Sequence, residues 1–146
     1  FMKRFGTANW KGSGKEGKGI TSTQSGVIKD AQYSYKSRFE EGIGTNPEEL
    51  VAAAHAGCFS MALSHKLSEA GHTPDSVKTT ATVTLEKLEG GFEVTSINLE
   101  VDARVPGVTE AQFNELAEAA KTGCPISKLM NTKITMTAKL EAPAKA

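Results

Sequence analysis

The amino-acid sequence predicts an α+β fold, mostly antiparallel sheet with two main helices in the order βββ-α-ββ-α-β. Three observations carry this expectation: period-two segments within the first forty residues, a long alternating pair on either side of Gly90-Gly91, and two helical stretches opened by Asn46-Pro47 and by Thr109. The strands come grouped as hairpins and do not alternate one by one with helices, which sets the chain apart from doubly wound folds.

Residues 7–10 read as the first strand and lead into Gly12-Ser13-Gly14-Lys15-Glu16-Gly17-Lys18-Gly19. That stretch lacks a Gly-Lys-Ser/Thr ending and a following helix pattern, so it is a turn and not a phosphate loop. A second strand lies near 20–25, followed by turns at Gly26 and Lys29-Asp30. Residues 32–39 alternate, with Tyr33, Tyr35, Ser37 and Phe39 on one side and Gln32, Ser34, Lys36 and Arg38 on the other, and predict a third strand. After a loop over 40–45, Asn46 suits an N-cap, Pro47 the first helical position, and Glu48 and Glu49 the positive end of the helix dipole. This helix is expected to run to about Ala70 and stop at Gly71, with Pro74 beyond. Its middle is made of Ala52, Ala53, Ala54, Ala56, Gly57, Cys58, Ser60 and Ala62. Side chains that small predict a helix buried all round and closely approached by another element.

Residues 77–88 alternate as a strand, Glu89-Gly90-Gly91 turns the chain, and 92–105 returns. The apolar phase slips by one residue between Phe92, Val94 and Ile97, Leu99, Val101, Ala103, Val105, which predicts a bulge near Thr95-Ser96. Pro106-Gly107 ends the strand. Residues 109–122 form an amphipathic helix capped by Thr109, with Phe113, Leu116, Ala117 and Ala120 on one face, and Gly123 closes it. Cys124-Pro125 opens a short turn through Met130. The last strand is 133–140, with Ile134, Met136, Ala138 and Leu140 inward, and 141–146 is expected to be a loose tail.

At 146 residues, 38% of them apolar without counting glycine, the chain is expected to be one domain over 1–146 with a core of its own. Phe1 before Met2 reads as a vector or processing remnant. Seventeen lysines and arginines balance 17 aspartates and glutamates, which gives no electrostatic case for nucleic acid or an anionic membrane, and zero net charge permits self-association. The longest apolar run, 50–63, is broken by His55 and Gly57 and falls short of the roughly 20 residues a membrane span needs. No basic segment followed by an apolar block opens the chain, so a cytoplasmic location is expected. The two cysteines fit no short zinc-binding pattern.

Four side chains can carry chemistry: Arg38, Glu48, Cys58 and Cys124. Each also has a plainer reading. Free cysteine is among the most buried residue types. Arg38 suits a solvated strand position, and Glu48 the first turn of a helix. As a thiolate, mid-helix Cys58 would need a cation from elsewhere, and Arg38 is the nearest arginine in sequence. Cys124 precedes Pro125 and reads as the N-cap of a short helix, a place that lowers a thiol pKa. His55 and Cys58 share a helix face and would make half a metal site, which no spacing completes. His65 and His72 read as surface or packing residues.

Gly44-Thr45-Asn46-Pro47-Glu48-Glu49-Leu50, then Ala53-Ala54-His55-Ala56-Gly57-Cys58-Phe59-Ser60-Met61-Ala62-Leu63, and Gly123-Cys124-Pro125-Ile126-Ser127 after a helix, resemble the osmotically inducible protein C (OsmC) family. Ala8-Asn9-Trp10-Lys11-Gly12, Thr23-Gln24-Ser25-Gly26 and Ser37-Arg38-Phe39-Glu40 resemble the OsmC branch more than its sister, the organic hydroperoxide resistance (Ohr) branch. The resemblance implies a thiol peroxidase acting on organic hydroperoxides and on hydrogen peroxide. Cys58 would match the peroxidatic cysteine, Cys124 the resolving one, and Arg38 and Glu48 the pair that activates the thiolate. It also implies an intertwined homodimer with its sites at the subunit interface. Reduction would come from dithiols or lipoylated proteins, and no metal, haem or flavin would be needed. An organic peroxide has a hydrocarbon body, so the pocket should be apolar; Ile43, Phe39, Phe59, Met61 and Leu63 are the candidate lining, with core packing the alternative for most of them.

Glu48 and Cys58 are ten residues apart, about 15 Å and about 1000° of rotation on a straight helix, so they share no face. A composite site with groups from two chains is the resulting expectation. Two other functions compete with the peroxidase: a non-catalytic carrier of small molecules or lipid on the same scaffold, and a redox sensor whose disulfide alters partner binding.

Overall fold

A computed structural model describes residues 1–142 of the chain, which resolves into two compact units, Phe1–Leu50 and a second from Val51 onward. In the first unit, β1 (Gly6–Lys11), β2 (Lys18–Thr23) and β3 (Ala31–Ser34) form an antiparallel sheet in that order. Gly26 at φ +78° and Asp30 at φ +50° turn the chain between β2 and β3, where the sequence expects it to turn.

The third strand is shorter than the alternation suggests. It ends at Ser34, and Tyr35–Phe39 forms a one-turn helix, α1. Ser34 and Ser37 cap one another: the Ser37 N–H donates to Ser34 Oγ at 3.2 Å and the Ser34 N–H to Ser37 Oγ at 2.8 Å. Local serine bonds of this kind satisfy the backbone without a strand partner and override a short alternating pattern. Arg38 therefore stands on a helical turn and not on a strand.

The loop after α1 is tied back to it. Ser37 Oγ donates to the Thr45 carbonyl at 2.8 Å, Asn46 Nδ2 to the Ser37 carbonyl at 3.0 Å, and the Thr45 N–H to the Gln32 carbonyl at 2.7 Å. Asn46 Oδ1 then accepts the Glu49 N–H at 2.8 Å and caps α2 (Pro47–Glu69) as the sequence predicts. Gly44, at φ +121°, is the tight point: a Cβ there would run into the Gln32 carbonyl that holds Thr45. Gly44→Ala is expected to cost about 1–3 kcal/mol, read as a lower denaturation midpoint. An unchanged midpoint would show that the loop yields without loss.

The second unit contains the rest of α2 and a second sheet. α2 ends as its sequence suggests, with Gly71 at φ +90° and the His72 and Gly71 N–H groups closing on the Leu67 and Ser68 carbonyls at 2.8 and 3.0 Å. β4 (Ser76–Leu88) and β5 (Gly91–Arg104) form a long antiparallel hairpin; Thr84 pairs with Ser96 and Leu85 with Val94, which leaves Thr95 as the expected bulge. α3 (Glu110–Gly123), capped by Thr109, and α4 (Pro125–Leu129) then carry the chain over to β6 (Lys133–Glu141). β6 pairs with β5 in parallel, the direction that such a helical crossover permits. Glu141 thus belongs to the last strand; the loose tail expected beyond it lies, from 143 on, outside the described residues.

The core of this unit joins Phe59, Leu63 and Leu67 of α2, Ile97, Leu99, Val101 and Ala103 of β5, Val105 just beyond it, and Phe113, Ala117 and Ala120 of α3. α2 is not buried all round. One stripe, His55, Phe59, Leu63 and Leu67, faces inward at four-residue spacing, while Ala53, Ala54, Gly57 and Met61 are exposed. Small side chains keep the exposed stripe flat, so the composition that suggests burial describes a face left open among the described residues of this unit. Among the described residues no helix is long and apolar enough to cross a membrane.

Candidate functional site

Two clusters contain the four residues singled out from the sequence. In the first unit the capped α1 and the N-terminal turn of α2 hold Arg38 against Glu48. Arg38 Nε and Nη2 both donate to Glu48 Oε1, at 2.9 and 2.7 Å. The pairing is a fork on one oxygen and not the two-oxygen bidentate form. It leaves Glu48 Oε2 buried and without a partner among the described residues. The guanidinium lies 5.1 Å from the centre of the Phe39 ring, which packs at a 50° tilt against Tyr35 with the ring centres 4.9 Å apart. Ile43 is 92% exposed and edges a groove of about 850 Å³ along the same sheet, with Lys11, Gly17 and Tyr33.

In the second unit Cys58 of α2 and Cys124, between α3 and α4, are both free thiols with their sulfurs 2.6 Å apart. Cys124 is fully buried and Cys58 partly exposed. Pro125 starts α4 immediately after Cys124, as the sequence suggests. The sulfur makes no closed capping bond, yet it feels the first turn. Burial alone would push the Cys124 thiol up, but the Cys58 thiol, the Ser127 and Ile126 N–H groups and the Ser127 hydroxyl together hold it below the ordinary value. Cys58 moves the other way: burial and the neighbouring Cys124 raise it, against the Ile126 N–H. A coupled pair of this kind shares its charge. Within this unit the local groups tilt the pair toward Cys124 as the more acidic sulfur, while the sequence-based expectation gives Cys58 the thiolate. The α4 terminus supplies the donors, and none of the groups that lower either thiol is a cation.

Of the lining candidates, Phe59 and Leu63 are fully enclosed in the core, which is the packing alternative, and Met61 is 72% exposed on the flat face of α2. Sequence reasoning missed Ser127. Its hydroxyl meets the Nε2 of His55 at 2.7 Å, both side chains buried. The signal was a serine three places after an N-cap cysteine, which puts it in the first turn of α4 beside the sulfur. His55 thus engages Ser127 through its Nε2, and no group of three or more metal-binding side chains forms among the described residues.

The fold and the paired sulfurs define an α+β protein built around a dithiol. The chain belongs to the OsmC family, whose model, described as OsmC-like protein, matches residues 40–139. It is 48% identical over 141 residues to Peroxiredoxin OsmC of Escherichia coli, covering 97% of this chain and 99% of that one. It is 31% identical over 131 residues to an organic hydroperoxide resistance protein of Xanthomonas axonopodis, covering 85% of each. Among solved structures, the organic hydroperoxide resistance protein OhrB of Bacillus subtilis superposes with a TM-score of 0.67 at 27% identity, covering 94% of this chain and 98% of that one.

Proposed function

We propose that the chain is a thiol-dependent peroxidase that reduces organic hydroperoxides through a Cys58 sulfenic acid, resolved by Cys124. The observation that carries this reading is the 2.6 Å contact between two free sulfurs, one partly exposed and one enclosed. The printed names of the relatives, a peroxiredoxin and hydroperoxide resistance proteins, support it.

The steps balance. Cys58 thiolate attacks the distal oxygen of ROOH, the O–O bond breaks, sulfur is oxidised to the sulfenic acid, and the alkoxide leaves and takes a proton as ROH. Cys124 thiolate then attacks the Cys58 sulfur; the S–S bond forms and hydroxide leaves as water. An external dithiol or lipoylated protein reduces the disulfide. The partly exposed sulfur is the one a substrate can reach, and the enclosed one is kept for closure. The first step needs the thiolate on Cys58, against the tilt of the pair within one chain. A guanidinium beside Cys58 would put it there, because a cation draws the shared proton onto the other sulfur. Arg38, fixed by Glu48, is the group assigned to that task, in a homodimer whose second copy covers the flat face of α2.

The test is consumption of cumene hydroperoxide by the reduced protein with a dithiol in excess. Catalytic loss of peroxide, with the protein cycling between dithiol and disulfide, is expected. Peroxide left untouched would mark a carrier on the same scaffold and overturn the reading.

A further inference from the structure

His55 takes no part in the steps above, yet it is fully buried and aimed at the dithiol's neighbour. Its Nε2 lies 2.7 Å from Ser127 Oγ, and its Nδ1 is buried with no partner among the described residues. The unpaired atom fixes the tautomer. If Nδ1 carried the proton, an N–H would be buried with nothing to accept it, which is rarer in proteins than an unused acceptor. With the proton on Nε2, the ring donates to Ser127, and the serine's single hydrogen is free to point elsewhere. Ser127 stands in the first turn of α4, three residues after the buried Cys124, and its hydroxyl is one of the groups that hold the Cys124 thiol down. Burial also lowers the basicity of His55 and so keeps the ring neutral, as this arrangement requires.

We propose that His55 is a positioning residue: by donating from Nε2 to Ser127 Oγ, it turns the serine hydroxyl onto the Cys124 sulfur and keeps Cys124 the ready nucleophile for closing the Cys58–Cys124 disulfide. The direction of the chain, ring N–H to hydroxyl to sulfur, is what the structure adds. A serine left unoriented could equally accept from the thiol, which would hold the proton on sulfur. The role in disulfide closure rests on the peroxidase reading; the orientation of Ser127 does not.

The test separates the two. In a Cys58→Ser background Cys124 is the sole cysteine, since the chain has two, and its thiolate is followed by ultraviolet absorbance against pH. His55→Leu and Ser127→Ala should each raise the midpoint and leave roughly tenfold less thiolate at neutral pH, the loss expected of one hydrogen bond to an anion. Ser127→Ala adds no bulk, and His55→Met repeats the ring deletion should His55→Leu fail to fold. A midpoint unmoved by Ser127→Ala, or by loss of the ring in a folded variant, overturns the proposal. With Cys58 restored, cumene hydroperoxide in several-fold excess should give His55→Leu roughly tenfold slower disulfide closure and, because a second equivalent then reaches the waiting sulfenic acid, more Cys58 sulfinic acid than the parent chain. Closure at the parent rate overturns the proposed role. If the parent chain itself forms neither sulfenic acid nor disulfide, the peroxidase reading falls, and the titration still decides the orientation of Ser127.

Discussion

Cys58→Ser will abolish catalytic consumption of hydroperoxide, a loss on the order of a thousandfold or more, because the atom that takes the peroxide oxygen is gone. Cys124→Ser will behave differently. It should consume about two equivalents of peroxide, one to form the Cys58 sulfenic acid and a second to carry it to the sulfinic acid, and then stall, since no thiol lies in contact to capture the sulfenic acid. The coupling between the sulfurs adds a pH signature. Cys58 is raised first by its burial and then by the hydrogen bond and charge of Cys124. Serine at 124 removes the charge and leaves burial. The Cys58 pKa therefore falls in this variant, its thiolate persists to lower pH, and the pH profile of the single-turnover reaction shifts toward acid relative to the parent. Stopped-flow oxidation with cumene hydroperoxide over a pH series reads both the stall and the shift. Undiminished steady-state turnover by Cys124→Ser with a dithiol would remove Cys124 from the resolving role, and an unmoved profile would show that the two thiols do not share a proton.

The elements most legible in the sequence were those in which one local signal acted alone. Asn46-Pro47 and Thr109 each begin a helix, Gly71 ends one in a positive-φ conformation, and the apolar slip before Ile97 is the bulge at Thr95. Where two signals competed, the sequence misled. Tyr33, Tyr35, Ser37 and Phe39 alternate like a strand, but the reciprocal Ser34–Ser37 bonds cost less than finding a strand partner and wind the segment into α1. The small residues of α2 were ambiguous in another way: they suit contact with any close surface, and composition cannot say whether that surface is in the same chain. Cys58 and Cys124 stood out by type and motif. Ser127 did not, because its importance comes from a partner 72 positions away, and no periodicity reaches across that distance. The same limit hid the tilt of the pair, which depends first on the contact between two sulfurs 66 positions apart and then on the Ser127 and Ile126 N–H groups, and not on any charged side chain.

Mixing Arg38→Ala chains with Cys58→Ser chains should restore activity that neither variant has alone. Arg38 and Glu48 are bonded within one chain, so whichever Cys58 they serve, they serve it as a unit. Ten residues separate Glu48 from Cys58 in the sequence of α2, and positions so spaced do not share a helix face. If the pair serves the partner's thiol in a homodimer, a hybrid of the two variants keeps one complete site: the intact Cys58 of the Arg38→Ala chain, faced by the intact Arg38 of the other. Random reassociation makes half the dimers hybrids with one of two sites working, so about a quarter of parental activity should return. If the pair serves its own chain's thiol, every site in the mixture lacks one group, and activity stays at the sum of the two variants. For Arg38→Ala alone, loss of a preorganised cation should cost about 100- to 1000-fold in the first step, a background low enough for a quarter of parental turnover to stand clear of it. Glu48→Gln in place of Arg38→Ala should complement in the same pattern with a smaller initial loss, since the amide still accepts from the guanidinium but no longer balances its charge. Complementation by one of these two variants and not the other would mean that Arg38 and Glu48 do not act as one group, and the fork at Glu48 Oε1 would then be packing and not machinery.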